Sequence, residues 1–309
     1  RRRKGTMPQD RIWPTPLQPG STVAVIAPAG PPRPDRLRRG AELLESWGLR
    51  LRYGPNIASV HDRLGYLSAG DKERAEELVA AWTDPDVDAV WSARGGYGVQ
   101  RMIDLVDFAA LRSAGPKHFV GYSDLTALHD RLGRELGQVT IHGPMVAVPA
   151  QLDDPETPEA LRRLLFSAPA PGTDLLAGDT LFPGTGTGRL IGGNLSLIAS
   201  SVGVDPAPDR PSILFLEDDH EDGYRVDRML TQLARGGWLT RVTGVVVGDF
   251  TETDDEDQLR HVFADRLGGL GVPVITGAPA GHGARNLALP LGAEVTLRAT
   301  ADGGSLALS

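Results

Sequence analysis

Ser123 sits in the run Val120–Leu125 (VGYSDL), where the pattern of a buried strand gives way to that of a helix across a single glycine. That elbow resembles the G-x-S-x-G nucleophile turn, with Leu125 in place of the second glycine. There the Asp124 amide would face the charge developing on an attacked carbonyl, and the helix dipole would help. Ser and Asp are also favoured helix N-caps, so the same residues serve an ordinary helix start. A serine nucleophile needs a base. Of the seven histidines, His282 is distinctive. It lies between Gly281 and Gly283 just after an apolar strand, so little steric cover surrounds the ring. His61 and His118 precede or begin ordinary elements, and His261 falls inside an expected helix of the second half. His129 lies two turns into the helix after Ser123, pointing elsewhere. His142 ends a strand and could line a crevice or serve structurally. His220 sits in an acidic run, Glu217–Asp222, without the spacing of a zinc or calcium motif. The third member would be an acid that fixes the imidazole tautomer. Glu217 fits by position, at the end of the strand Ile213–Leu216, though a strand-end acid also serves as a cap or a solvated group.

The run Ala93–Gly98 (ARGGYG) follows another buried strand. Loops at the carboxyl ends of parallel strands line the ligand crevice. Glycines there let backbone N–H groups approach a ligand, and Arg94 is a cation placed to meet a carboxylate or phosphate. A tight turn needing positive φ explains the same glycines. Gly184–Gly193 lacks the Lys-Ser or Lys-Thr of a phosphate loop and reads as flexible chain leading into a strand.

The elements that position these residues alternate. Thr22–Ala27 (TVAVIA) is a β-branched run of the kind buried on both faces of a parallel sheet. A helix capped by Asp35 runs to Trp47. Strands follow at Arg50–Tyr53, Val87–Trp91, Lys117–Val120 and Val139–Ile141. Helices lie at Asp71–Trp82, Gln100–Leu105, Phe108–Arg112 and Leu125–Leu136. This predicts a parallel sheet with helices on both faces. Prolines punctuate 143–188, which reads as a linker with one helix, Pro158–Phe166. The second half mixes strands (Arg189–Gly192, Ser212–Leu216, Val242–Val247, Val272–Ile275, Glu294–Leu297) with helices at Tyr224–Ala234 and Glu256–Leu267, ending in a barrel-like sheet. The expected organisation is a tail over 1–16, an N-terminal domain over 17–147, a linker over 148–188 and a C-terminal α+β domain over 189–309.

Composition narrows the chemistry. The 309 residues include no cysteine, which excludes a thiol nucleophile, disulfides and thiolate metal sites. A net charge of -8 argues against a broad nucleic-acid-binding face. No apolar run approaches the roughly 18 residues of a membrane helix. Arg1–Lys4 has no apolar segment after it and reads as a tail. A soluble cytoplasmic protein is expected.

Together, Arg94–Gly98 (RGGYG), Gly121–Asp124 (GYSD), Gly192–Asn194 (GGN), Leu216–Asp218 (LED) with Tyr224–Arg228 (YRVDR), and Gly281–His282 with Asn286–Pro290 (NLALP) resemble the LD-carboxypeptidase family of serine peptidases. The likeness runs from about Leu17 to Leu297. It implies a Ser123–Glu217–His282 triad, with the amides of Asp124 and Gly96 as the oxyanion hole. It implies a flavodoxin-like parallel-sheet N-terminal domain carrying the nucleophile, and a C-terminal domain with a small barrel-like sheet carrying Glu217 and His282. It also implies a homodimer that needs no metal or cofactor. Arg94 is expected, on geometry, to bind the substrate's terminal carboxylate. One family branch removes terminal D-alanine from muropeptide tetrapeptides; the other, microcin-immunity-type, cleaves acyl bonds to modified nucleotides. Between Ser123 and Glu217 the aromatic residues are Phe166, Phe182 and Phe215, with no Trp or Tyr to hold a nucleobase. The carboxypeptidase branch is therefore favoured. A non-enzymatic two-domain binding protein is the third reading, favoured if Ser123 and His282 lie more than about 6 Å apart.

Overall fold

The computed structural model describes residues 11–309. The basic tail expected at the start falls mostly outside them. Residues 11–16, expected as tail, are packed: the Ile12 amide donates to the Gly137 carbonyl at 2.8 Å, and Val139 donates back to Ile12 at 2.9 Å.

The first half alternates as its apolar runs require: β1 (Thr22–Ile26), α1 (Pro34–Ser46), β2 (Arg50–Tyr53), α2 (Asp71–Thr83), β3 (Ala89–Ser92), α3 (Val99–Met102), α4 (Phe108–Ala114), β4 (His118–Gly121), α5 (Thr126–Leu136) and β5 (Thr140–His142). Asp35 does not cap α1; Arg33 holds that position, Pro34 begins the helix, and Asp35 sits in its first turn. There an acidic side chain favours the helix dipole. The five strands are parallel in the order β5-β4-β3-β1-β2. This is a flavodoxin-like order, whose carboxyl edge is where ligands bind. The central strands β1 and β3 are buried along their whole length.

After α6 (Pro149–Leu152) and α7 (Glu156–Phe166) come β6 (Asp174–Phe182), β7 (Gly184–Asn194), α8 (Leu195–Ser201), β8 (Ser212–Asp219), α9 (Gly223–Arg235), β9 (Val242–Thr251), α10 (Glu256–Gly268), β10 (Val274–Thr276), β11 (Leu289–Leu291), β12 (Glu294–Thr300) and β13 (Gly303–Leu308). The strands close a barrel in the order β10-β6-β13-β12-β7-β8-β9. Residues 174–188, expected as linker, are therefore barrel wall. Glycine is needed there by crowding: a Cβ on Gly186 would fall 2.0 Å from the Thr243 carbonyl oxygen. β11 leaves the barrel half and pairs antiparallel with β5 at the edge of the first sheet. One core accordingly runs through both halves, joining Trp91 and Ile141 to Leu289, Phe215 and Leu297. Among the described residues no helix is long and apolar enough to cross a membrane.

Candidate active site

β4 ends at Gly121, and the chain turns through a single 3-10 turn, Ser123–Leu125, before α5 begins. Ser123 adopts φ 63, a left-handed conformation that a non-glycine residue holds only under constraint. The constraint raises its hydroxyl at the carboxyl edge of the sheet. Gly95 leaves the room above it: a Cβ there would lie 3.2 Å from the Ser123 Cβ and 3.4 Å from its Oγ. Asp124 does more than offer an amide. Its buried Oδ2 accepts the Val99 amide at 2.8 Å, tying the serine turn to the helix that follows the glycine loop. Burial pushes this carboxyl up to about 6, against the pull of the Val99 bond and Arg74.

The barrel half brings the other groups. Glu217 lies on β8, in register with Asn194 at the end of β7. It is fully buried. The loop after β10 carries His282 to it, with Nδ1 2.5 Å from Glu217 Oε2. The other ring nitrogen, Nε2, lies 3.2 Å from Ser123 Oγ. The ring packs on Tyr122, centroids 4.9 Å apart. Burial alone would depress the imidazolium, but the Glu217 hydrogen bond and charge, aided by Asp219 and Asp218, outweigh it. The histidine pKa is raised above 6.5. Glu217 is raised too, because burial disfavours its anion more than His282 favours it. An acid–imidazole–hydroxyl series of this form can draw a proton from the hydroxyl and return it to a leaving group.

Three residues that the sequence reading missed hold the histidine loop. Gln151 Nε2 donates to the carbonyls of Gly281, at 2.8 Å, and Gly283, at 3.0 Å. Asn286 Oδ1 accepts the Gly281 amide at 3.0 Å, while its Nδ2 donates to Gln151 Oε1 at 3.2 Å. Asp249 Oδ2 accepts the Gly283 amide at 3.0 Å. Burial pushes the Asp249 carboxyl up to about 6. Gly281 has φ +130, and a Cβ on it would press within 2.9 Å of Glu217. Asn286 stood inside a motif the sequence displays; Gln151 lay in the presumed linker, where nothing in its neighbours signals a role.

The remaining candidates separate. Gly96 is exposed at φ +108 in the loop beside Ser123. Arg94 is exposed, and its Nη1 donates to the Pro31 carbonyl at 2.9 Å. His129 is structural: Nδ1 meets Thr140 Oγ1 at 2.9 Å and Nε2 meets the Gly121 carbonyl at 2.8 Å. His142 is fully buried, edge-on to Tyr122 and Phe215. His220 is largely exposed and contacts Asp219. Among the described residues no group of three or more His, Asp or Glu side chains could hold a metal ion.

Comparison with known proteins identifies the family. Residues 23–143 match the model of the LD-carboxypeptidase N-terminal domain, and residues 187–297 match that of the C-terminal domain. The chain belongs to the LD-carboxypeptidase family. Of this family, a Streptomyces coelicolor protein is 45% identical over 97% of both chains. A murein tetrapeptide carboxypeptidase of Pseudomonas aeruginosa is 33% identical over 93% of this chain and 95% of its own. The crystal structure of a muramoyltetrapeptide carboxypeptidase from Oxalobacter formigenes superposes with a TM-score of 0.81 at 32% identity, covering 94% of this chain and 99% of that one. This LD-carboxypeptidase-family chain is accordingly a hydrolase, with the mixed α/β fold of its relatives.

Proposed function

We propose that the protein is a serine-type LD-carboxypeptidase that releases the terminal D-alanine of murein tetrapeptides. The observation that carries this is the series Ser123 Oγ, His282 Nε2, His282 Nδ1 and Glu217 Oε2, linked at 3.2 and 2.5 Å. The separation of Ser123 and His282 falls well inside the limit that would favour a mere binding protein. In this reading the parallel-sheet half supplies the nucleophile, and the barrel half supplies the acid and base.

His282, oriented by Glu217, removes the Ser123 proton as Oγ attacks the carbonyl of the L-configured diamino acid. The amides of Asp124 and Gly96 receive the oxyanion. The C–N bond breaks, His282 protonates the departing amine of D-alanine, and water, deprotonated by the same ring, releases the acyl group. Arg94 takes the terminal carboxylate after exchanging its bond to Pro31.

The test is incubation with purified tetrapeptide, read by D-amino acid oxidase. Release of D-alanine supports the reading. No release, with cleavage of an aminoacyl-sulfamoyl adenosine instead, moves the protein to the immunity-type branch. We also propose a cytoplasmic homodimer, tested by cell fractionation and by sedimentation equilibrium.

A further inference from the structure

Four guanidinium groups converge on a cavity that the hydrolysis does not use. It lies between α5 of the parallel-sheet half and β7–α8 of the barrel half, with a volume of about 440 Å³, and none of Ser123, Glu217 and His282 lines it. Arg11, Arg134, Arg189 and Arg210 do. Arg134 is committed to Asp130 at 2.8 Å and Asp205 at 2.7 Å. Among the described residues Arg210 has only a loose ion pair, 3.8 Å from the exposed Asp209, and its buried Nε has no hydrogen-bond partner there.

Arg11 carries the argument. Its side chain threads the space left by two glycines: a Cβ on Gly133 would fall 2.1 Å from its Nη1, and one on Gly292 would fall 2.6 Å from its Cδ. No described residue gives it a hydrogen bond or an ion pair. Its guanidinium therefore lines the cavity with no hydrogen-bond acceptor among the described residues. Burial, and repulsion from Arg189, Arg210 and Arg134 only partly offset by Asp130, bring its pKa down to about 10. A half-buried cation among like charges gains from an anion that completes it. Guanidinium forks match carboxylate and phosphate oxygens. The lining also holds the apolar Ile191, Ile198, Pro208 and Trp238.

We propose that this cavity is a second ligand site that takes a small organic anion, its phosphate or carboxylate head on Arg11 and Arg210 and its apolar body against Ile198 and Trp238. The volume is that of a small-molecule site. The site also touches the seam between the halves. Thr126, which lines the cavity, accepts the Asn194 amide at 2.9 Å, and Asn194 pairs in register with Glu217.

The test is calorimetric titration of the full chain with phenyl phosphate, benzoate and inorganic phosphate. One site is expected. Phenyl phosphate or benzoate, whichever head the site prefers, should bind more tightly than inorganic phosphate, and its affinity should be unchanged in Ser123→Ala. Arg11→Gln should weaken it on the order of ten- to a hundredfold, the loss of a charge-assisted hydrogen bond. Because Arg11 also packs between α5 and the β11–β12 turn, Arg210→Gln, on a surface loop, supplies an independent variant with the same expectation. Absence of binding by all three probes, equal affinity in Arg210→Gln, or loss of binding in Ser123→Ala would each overturn the proposal.

Discussion

Replacing Glu217 by glutamine keeps the size of the side chain and removes its charge. Glu217 is 0% exposed and its Oε2 lies 2.5 Å from His282 Nδ1, so no solvent stands ready to replace it. An amide oriented to donate to Nδ1 would place the ring proton on Nε2, where it faces Ser123 and cannot accept the hydroxyl proton. The equivalent Asp-to-Asn change in another serine hydrolase lowers kcat about 10⁴-fold, which corresponds to about 5.4 kcal/mol of barrier. We expect a fall of that order in kcat/KM, measured as D-alanine release on a variant with unchanged near-ultraviolet circular dichroism. The pH profile separates this from a general loss of folding. The base must be neutral, and the acid limb of kcat/KM reports the free enzyme's histidine. In the wild type that limb lies above 6.5, because the Glu217 bond and charge outweigh burial. In the variant burial is opposed by Asp219, Asp218 and Asp249 without the Glu217 charge, and the limb should move down in pH. A variant that keeps more than about a tenth of the activity, with its acid limb unmoved, would refute the orienting role.

Other perturbations follow from the same contacts. Gly281→Ala places a methyl within 2.9 Å of Glu217 at φ +130, so the histidine should be displaced and kcat should fall on the order of a hundredfold, read by steady-state kinetics. Gln151→Ala removes both bonds to the Gly281 and Gly283 carbonyls. Chemical denaturation should show a loss of about 1–3 kcal/mol, because buried acceptors are left unpaired. His118 is buried with a folded-state pKa of about 4 against 6.5 unfolded. The folded state therefore resists protonation, and this share of stability is lost as pH falls from 6.5 to about 4. His118→Gln should gain on the wild type by roughly 3 kcal/mol across that window, in paired denaturation curves.

The parallel sheet was legible because its evidence is local. TVAVIA in β1 is a short, largely apolar run rich in β-branched residues, and α1 carries its own amphipathic period, burying Ala41 and Leu44. The serine elbow was legible for the same reason, since one glycine between an apolar strand and a helix dictates the turn. β6 and the first part of β7 were not, because Gly184, Gly186 and Gly188 look flexible in isolation. Gly186 and Gly188 are glycine because barrel neighbours crowd them, a Cβ on Gly188 meeting the Pro211 backbone at 2.7 Å, and Gly184 because its φ is +147. β11 was missed because three residues crossing to a sheet more than a hundred positions away leave no periodic signal. Gln151, Asp249 and Arg11 share that limit; their roles exist only in contacts between distant segments.

The central claim is that Ser123 is the nucleophile served by His282. Its most direct test is turnover of purified tetrapeptide by Ser123→Ala beside the wild type, read as D-alanine released. The account expects a loss on the order of 10⁶-fold, by analogy with another triad hydrolase. An alanine variant that retained more than a few per cent of wild-type turnover would contradict it.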